Sequence, residues 1–223
     1  MSACVHLPTS IGEAIDKLTI LDIKLERITD IAKKADVQRE HDALLNHAML
    51  NSFVQTHADL YNTMKKANAI IWDMMDVLRD GASGVSGEEY LKTCKDCIEF
   101  NDIRFRIKAR INQASNSELR EQKSYKATVF KLAIMGLHES HAHISTVKSI
   151  LRRPLQYYGI LYDEVQIVYA HQPVEDASAT LTFNDDDDDD DDDISRIMTN
   201  ELQLKQRIYD ALNVSDASMD KLL

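Results

Sequence analysis

Two sets of polar residues in this chain have spacings that could build a site. Glu13 and Lys17 stand four apart with Asp16 beside them, and Asn101, Arg104 and Lys108 recur at intervals of three and four. On helices, each set shares a face. If those faces meet, their carboxylates and cations would make a polar network or a small anion pocket, with Trp72 as its aromatic neighbour. The plainer alternative makes Glu13–Lys17 a surface pair contributing about 0.3–0.5 kcal/mol, with the other residues solvated. Perturbed charges mark functional sites only statistically, and structural pairs are common, which favours the plainer alternative.

Three other groups invite chemistry. His138-Glu-Ser-His-Ala-His143 could place His138 and His141 on one helix face, with Glu139 and His143 as further metal ligands. Its spacing departs from His-Glu-x-x-His, where the histidines lie a full turn apart and the glutamate is the base. No distant ligand is specified, so capping and surface roles are expected and no metal is assigned. Cys94-Lys-Asp-Cys97 falls a turn inside an expected helix, away from the helix N-terminus that would lower a thiol pKa, and ordinary packing is expected. Asp185 to Asp193 is an unbroken run of nine aspartates, without the interleaved glycine of a selective calcium loop. It reads as a solvated acidic spacer.

That run accounts for most of the net charge of −11; without its nine charges the chain stands at −2. Nucleic-acid binding is therefore not expected. No apolar run approaches the ~20 residues of a bilayer span, and the first residues lack the basic and apolar segments of a signal peptide. Three cysteines without framework spacing suit a reducing compartment, so a cytoplasmic protein without membrane contact is expected.

The elements that must position these residues are mostly helical. Six glycines and three prolines among 223 residues suit a helix-rich chain. Ser10 with Glu13, and Ser86 with Glu89, are capping boxes that open helices. Ile11, Ala14, Leu18, Leu21, Leu25, Ile28 and Ala32 trace an apolar seam that predicts a helix over 11–34. A second helix is expected from about residue 36, a third over 53–80 capped by Gly81, and a fourth over 87–114. The fourth carries two stripes, Leu91, Cys94, Ile98 and Phe105 on one line and Phe100, Ile103, Ile107 and Ile111 on another, which suits a central helix with two neighbours. The apolar runs at 129–135 and 161–169 read as strands around a helix, one βαβ unit. A last amphipathic helix is expected over 194–212. The expected fold is mainly α: an antiparallel helical bundle with long coiled-coil-like helices, one small strand–helix–strand unit and a C-terminal helix. The expected divisions are a helical module (1–126), a small α/β unit (127–172), an acidic linker (173–193) and the C-terminal helix (194–223).

Several segments in order resemble an uncharacterised family, domain of unknown function 6165. They are Ile11-Gly-Glu-Ala-Ile-Asp-Lys-Leu-Thr-Ile-Leu-Asp-Ile-Lys-Leu-Glu, Ala69-Ile-Ile-Trp-Asp, Asn101-Asp-Ile-Arg-Phe-Arg-Ile-Lys-Ala-Arg-Ile-Asn112 and Glu121-Gln-Lys-Ser-Tyr125. The resemblance covers residues 11–125 and implies a compact helical module, found alone or beside sugar-transfer domains. Lys131-Leu-Ala-Ile-Met-Gly136 and Tyr162-Asp-Glu-Val-Gln-Ile-Val168 are similar, over a short stretch, to the opening strands of a two-lobed glycosyltransferase. That similarity implies a glycine-rich turn for the substrate, of which only Gly136 is present, and a second lobe that this sequence lacks.

Two functions follow as expectations. The first is a non-enzymatic helical interaction or scaffold module, self-associating or docked to a protein partner, with no cofactor. The alternative is an accessory or degenerate part of a glycan-modifying system that binds a sugar nucleotide or a partner enzyme.

Overall fold

The computed structural model describes residues 7–80, 85–124, 127–137, 144–183 and 200–223. The His138–His143 cluster, Gly81, the aspartate run and the first turns of the expected C-terminal helix lie outside them. The chain divides into two units, parting between Ser124 and Tyr125. Mainly helical structure and a small parallel sheet account for the regular elements.

In the first unit, α1 (Ile11–Arg27) starts where Ser10 Oγ accepts from Glu13 N at 3.1 Å. Only half of the expected capping box forms, because the Glu13 carboxylate turns to Lys108 instead. The helix ends earlier than its seam suggests. Ile28 and Asp30 are extended (ψ 125° and 118°), and Asp30 Oδ1 accepts from Lys33 N to open α2 (Ile31–Leu45). A seam records burial, and one apolar stripe can pass over a break; the break itself is made by a β-branched pair and a capping aspartate. The expected third helix is likewise two. These are α3 (Ala48–Thr56) and α4 (Ala58–Arg79), parted at His57 (φ −130°, ψ 47°), whose ring stacks on Phe53 at 4.6 Å.

α5 (Gly87–Ala114) has the expected bounds, with Ser86 Oγ accepting from Glu89 N at 3.2 Å. It closes in a Schellman turn. Asn116 takes the left-handed conformation (φ 50°), while Ser117 N donates to Asn112 O and Asn116 N to Gln113 O. The unit's core joins Ile15, Leu18 and Leu21 of α1, Leu50 and Phe53 of α3, Met64 and Ala67 of α4, and Ile103, Ile107 and Ile111 of α5. Ile71 and Met74 are half-buried, and α2 buries no residue.

In the second unit, β1 (Val129–Met135) leads through α6 (Ile144–Leu161) to β2 (Glu164–Ala170), and β3 (Ala179–Thr182) completes the sheet. The order is β2-β1-β3 and both pairings are parallel, with Leu132 opposite Ile167 and Ala179. Leu161, read from sequence as the start of a strand, is the last residue of α6, and β2 begins three residues later. β3 falls inside the stretch read as an acidic linker, because Ala-Thr-Leu-Thr is too short and polar to announce a strand. Phe130, Leu132, Ile134 and Leu181 share one buried face, and Tyr158 of α6 stacks on Phe130 at 3.8 Å. The helices α7 (Glu201–Ala211) and α8 (Asp216–Asp220) follow.

Candidate functional site

The first unit brings the two sets of polar residues together at the junction of α1 and α5. Asp16, 1% exposed, faces Arg104, whose Nε donates to Oδ1 at 2.8 Å and whose Nη2 donates to Oδ2. Asn68 of α4 completes the cluster, its Nδ2 donating to Asp16 Oδ1 at 2.8 Å and to Thr19 Oγ1 at 3.0 Å. The hydrogen bonds that Arg104 donates to Asp16 outweigh burial and raise its pKa, keeping the guanidinium charged. A turn away, Lys108 Nζ binds Glu13 at 2.9 Å and also Glu121. Burial opposes its charge, yet the hydrogen bonds it donates to Glu121 and Glu13 prevail and raise its pKa.

The two helices can approach this closely because position 12 is glycine. A Cβ there would lie 2.6 Å from the Lys108 carbonyl oxygen and 2.9 Å from Asn112 Oδ1. The first α1 amides, which an anion could otherwise occupy, are already used. Ile11 N donates to Ser117 Oγ at 3.2 Å, Gly12 N to Asn112 Oδ1 at 2.7 Å and Glu13 N to Ser10 Oγ.

The remaining candidate residues go elsewhere. Lys17 pairs with Glu40 of α2 at 2.6 Å rather than with Glu13. Trp72 lies under the Arg27 guanidinium, 5.9 Å from its centroid, with Arg27 also bound to Asp73. Asn101 turns back on its own helix and donates to the Cys97 carbonyl at 2.8 Å. Cys97 is buried and packs on Met75, with Sγ–Sδ 3.8 Å.

Sequence reasoning missed a second cluster across α1, α2 and α4. Asp22 accepts from Tyr61 Oη at 2.6 Å, meets His41 Nε2 at 2.9 Å and lies 3.6 Å from Lys65, which binds Glu26 at 2.7 Å. Burial, followed by the hydrogen bond to Asp22, raises the Tyr61 pKa well above the usual phenol range. Its only sequence signal is Asp22 on the α1 surface, since Tyr61 and His41 belong to no motif. Arg110, half-buried, forms no ion pair or hydrogen bond among the described residues, and burial lowers its pKa. Among the described residues, no buried side-chain nitrogen or oxygen lacks a partner, and no three histidine, cysteine or carboxylate side chains gather as a metal site.

In the second unit, Gly136 (φ 75°) follows β1, where a Cβ would fall 1.4 Å from the Phe183 carbonyl oxygen. The close approach that this glycine permits is taken up by the exit of β3, with Phe183 N donating to Met135 O at 2.8 Å.

The clustered residues Gly12, Glu13, Asp16, Arg104, Lys108, Asn112 and Glu121 all lie within the segments that carried the sequence resemblance. A family model described as a family of unknown function (DUF6165) matches residues 5–134. That is more than half of the 223 residues. The chain belongs to this family. The DUF6165 match takes in all of the first unit's helices and reaches Ile134 of β1. No curated protein and no solved structure matches the chain, and nothing among the comparisons supports the glycosyltransferase similarity. Among the described residues, no helix is long and apolar enough to cross a membrane.

Proposed function

We propose that this DUF6165 protein is a non-enzymatic helical interaction module working within an assembly. Antiparallel, coiled-coil-like packing of α1, α4 and α5 makes its frame. One observation carries the reading: the clustered charges Glu13, Asp16, Arg104, Lys108 and Glu121 of the family segments are consumed in binding one another, while large apolar side chains stay uncovered. Arg104 and Lys108, the cations best placed to hold an anion, already carry carboxylate partners. Ile167 on the edge strand β2 and Leu91 and Ile98 on α5 are exposed. β2 pairs on one side only among the described residues and carries no lysine or proline to guard its free edge. Such surfaces mark interaction sites.

The second reading, an accessory or degenerate part of a glycan-modifying system, has one observation in its favour. Doubly wound nucleotide-binding folds are built around a parallel sheet of the order β2-β1-β3. Against it stands Gly136, whose close approach serves Phe183 rather than a phosphate.

One experiment separates the two. The full chain is incubated with a panel of nucleotide sugars while released nucleotide and the melting temperature are followed. The interaction reading expects no release and no shift. A thermal shift without release favours the accessory reading. Turnover above the buffer blank that is lost in Glu139→Ala or His138→Ala would overturn the non-enzymatic reading.

A further inference from the structure

We infer that Cys94, Cys97 and Met75 form a binding site for monovalent copper where α5 meets α4. The inference stands apart from the interaction-module reading. Along the sequence, Cys94 and Cys97 have no further sulfur ligand beside them; the fold brings one from α4. Cys97, 8% exposed, has its Sγ 3.8 Å from Met75 Sδ. Two sulfurs that each bind one ion at about 2.3 Å stand about 3.8 Å apart at a tetrahedral angle. The pair is therefore already spaced to share an ion between the two helices. Cys94 lies three residues before Cys97 on the adjoining turn of α5, a spacing that sets the Cβ atoms about 5–6 Å apart and within reach of a shared ion. Cys94 and Met75 are half-buried, which leaves an entry path from solvent to the buried Cys97.

The donor set selects the metal. Thiolate and thioether are soft ligands, and together they favour monovalent copper. Zinc takes thiolate, imidazole and carboxylate ligands, four of them in a structural site. Among the described residues, no third histidine, cysteine or carboxylate joins the two cysteines. Monovalent copper has a filled d shell and is content with two or three sulfurs, so this set is complete for it. Loading exchanges the two thiol protons for one ion, and both protons leave to solvent. Asn101 supports the inner ligand: its Nδ2 donates to the Cys97 carbonyl at 2.8 Å and to Cys97 Sγ at 3.7 Å. A donor aimed at the sulfur orients it and steadies the thiolate.

The test titrates the full chain, reduced and under anaerobic conditions, with monovalent copper against a chromogenic copper chelator, and follows the melting temperature. One ion per chain should resist the chelator, and loading should raise the melting temperature because the ion ties α4 to α5. Cys94→Ser and Cys97→Ser should each abolish the resistant binding, whereas Cys4→Ser should leave it as in the wild type. Met75→Leu keeps the side-chain volume, so its helical circular dichroism should be unchanged. It should nevertheless weaken binding by about tenfold or more, since even a partner outside the ligand set is worth that much. This variant keeps the test decisive if a cysteine variant fails to fold. Zinc in place of copper should give no comparable thermal shift. A wild type that yields all its copper to the chelator, binding that is unchanged in Met75→Leu, or binding that is lost in Cys4→Ser would overturn the site. A zinc shift equal to that of copper would overturn the choice of metal.

Discussion

At the residue scale, the family segments read as a lock between helices. Gly12 sets the separation of α1 and α5, and the pairs Glu13–Lys108 and Asp16–Arg104 that follow it along α1 hold the two helices in register. Gly12→Ala gains about 1 kcal/mol of helix propensity. Its Cβ must nevertheless push back the Lys108 carbonyl, a backbone atom that cannot swing aside. The expected net effect is a loss of about 1–3 kcal/mol, read from urea unfolding followed by the fluorescence of Trp72, the only tryptophan in the chain. The raised pKa values of Tyr61, Lys65 and Lys108 bear on alkaline stability. A group whose pKa is raised by folding adds stability that is complete below its unfolded value, about 10 for tyrosine and 10.4 for lysine. That stability is lost as pH rises through the folded value. The urea midpoint should therefore hold through neutral pH and fall above about pH 10. Tyr61→Phe should flatten part of that fall; an unaltered alkaline limb in this variant would remove Tyr61 from the account.

At the element scale, α2 is the least secured helix of the first unit. It buries no residue and is tied to α1 chiefly by Lys17–Glu40 and His41–Asp22. Its amides should exchange with solvent faster than those of α1, α4 and α5. Asp30→Ala, which removes its N-cap, should cost about 1 kcal/mol and speed exchange selectively in α2. Protection in α2 equal to that of α5 would contradict this picture. These elements also show what could be read from the chain alone. The starts of α1 and α5 were legible because a serine N-cap acts within one turn. The break at Ile28–Asp30 was not, because the apolar seam continues through Ala32 as though the helix did. The residue types of the site were legible, but their partners were not. Spacing paired Glu13 with Lys17, whereas Glu13 binds Lys108 and Lys17 binds Glu40. Such pairings depend on which helices meet, and local periodicity does not carry that information. Asn68 was missed for the same reason, since it contributes one buried amide from α4 to a cluster seeded on α1.

At the scale of the whole molecule, charge and apolar surface are disposed differently from their bulk totals. Nine of the eleven net negative charges sit in one run, and the buried Asp16 carboxylate is neutralised by part-buried Arg104. The DUF6165 match crosses from the first unit into β1 of the second, so the family's extent and the folding units differ by one strand. The account rests on the claim that the family's charged residues hold the helices together rather than hold a ligand. A double-mutant cycle on Asp16 and Arg104, measured by urea unfolding through Trp72 fluorescence, tests that claim most directly. Asp16→Leu leaves a part-buried guanidinium alone and should cost about 2–3 kcal/mol, while Arg104→Met leaves a buried carboxylate and should cost about 3–5 kcal/mol. The double variant should lose far less than the sum, giving a coupling of about 2 kcal/mol or more. Single variants within about 0.5 kcal/mol of wild type, together with a coupling near zero, would contradict the account and return these residues to the surface of an open site.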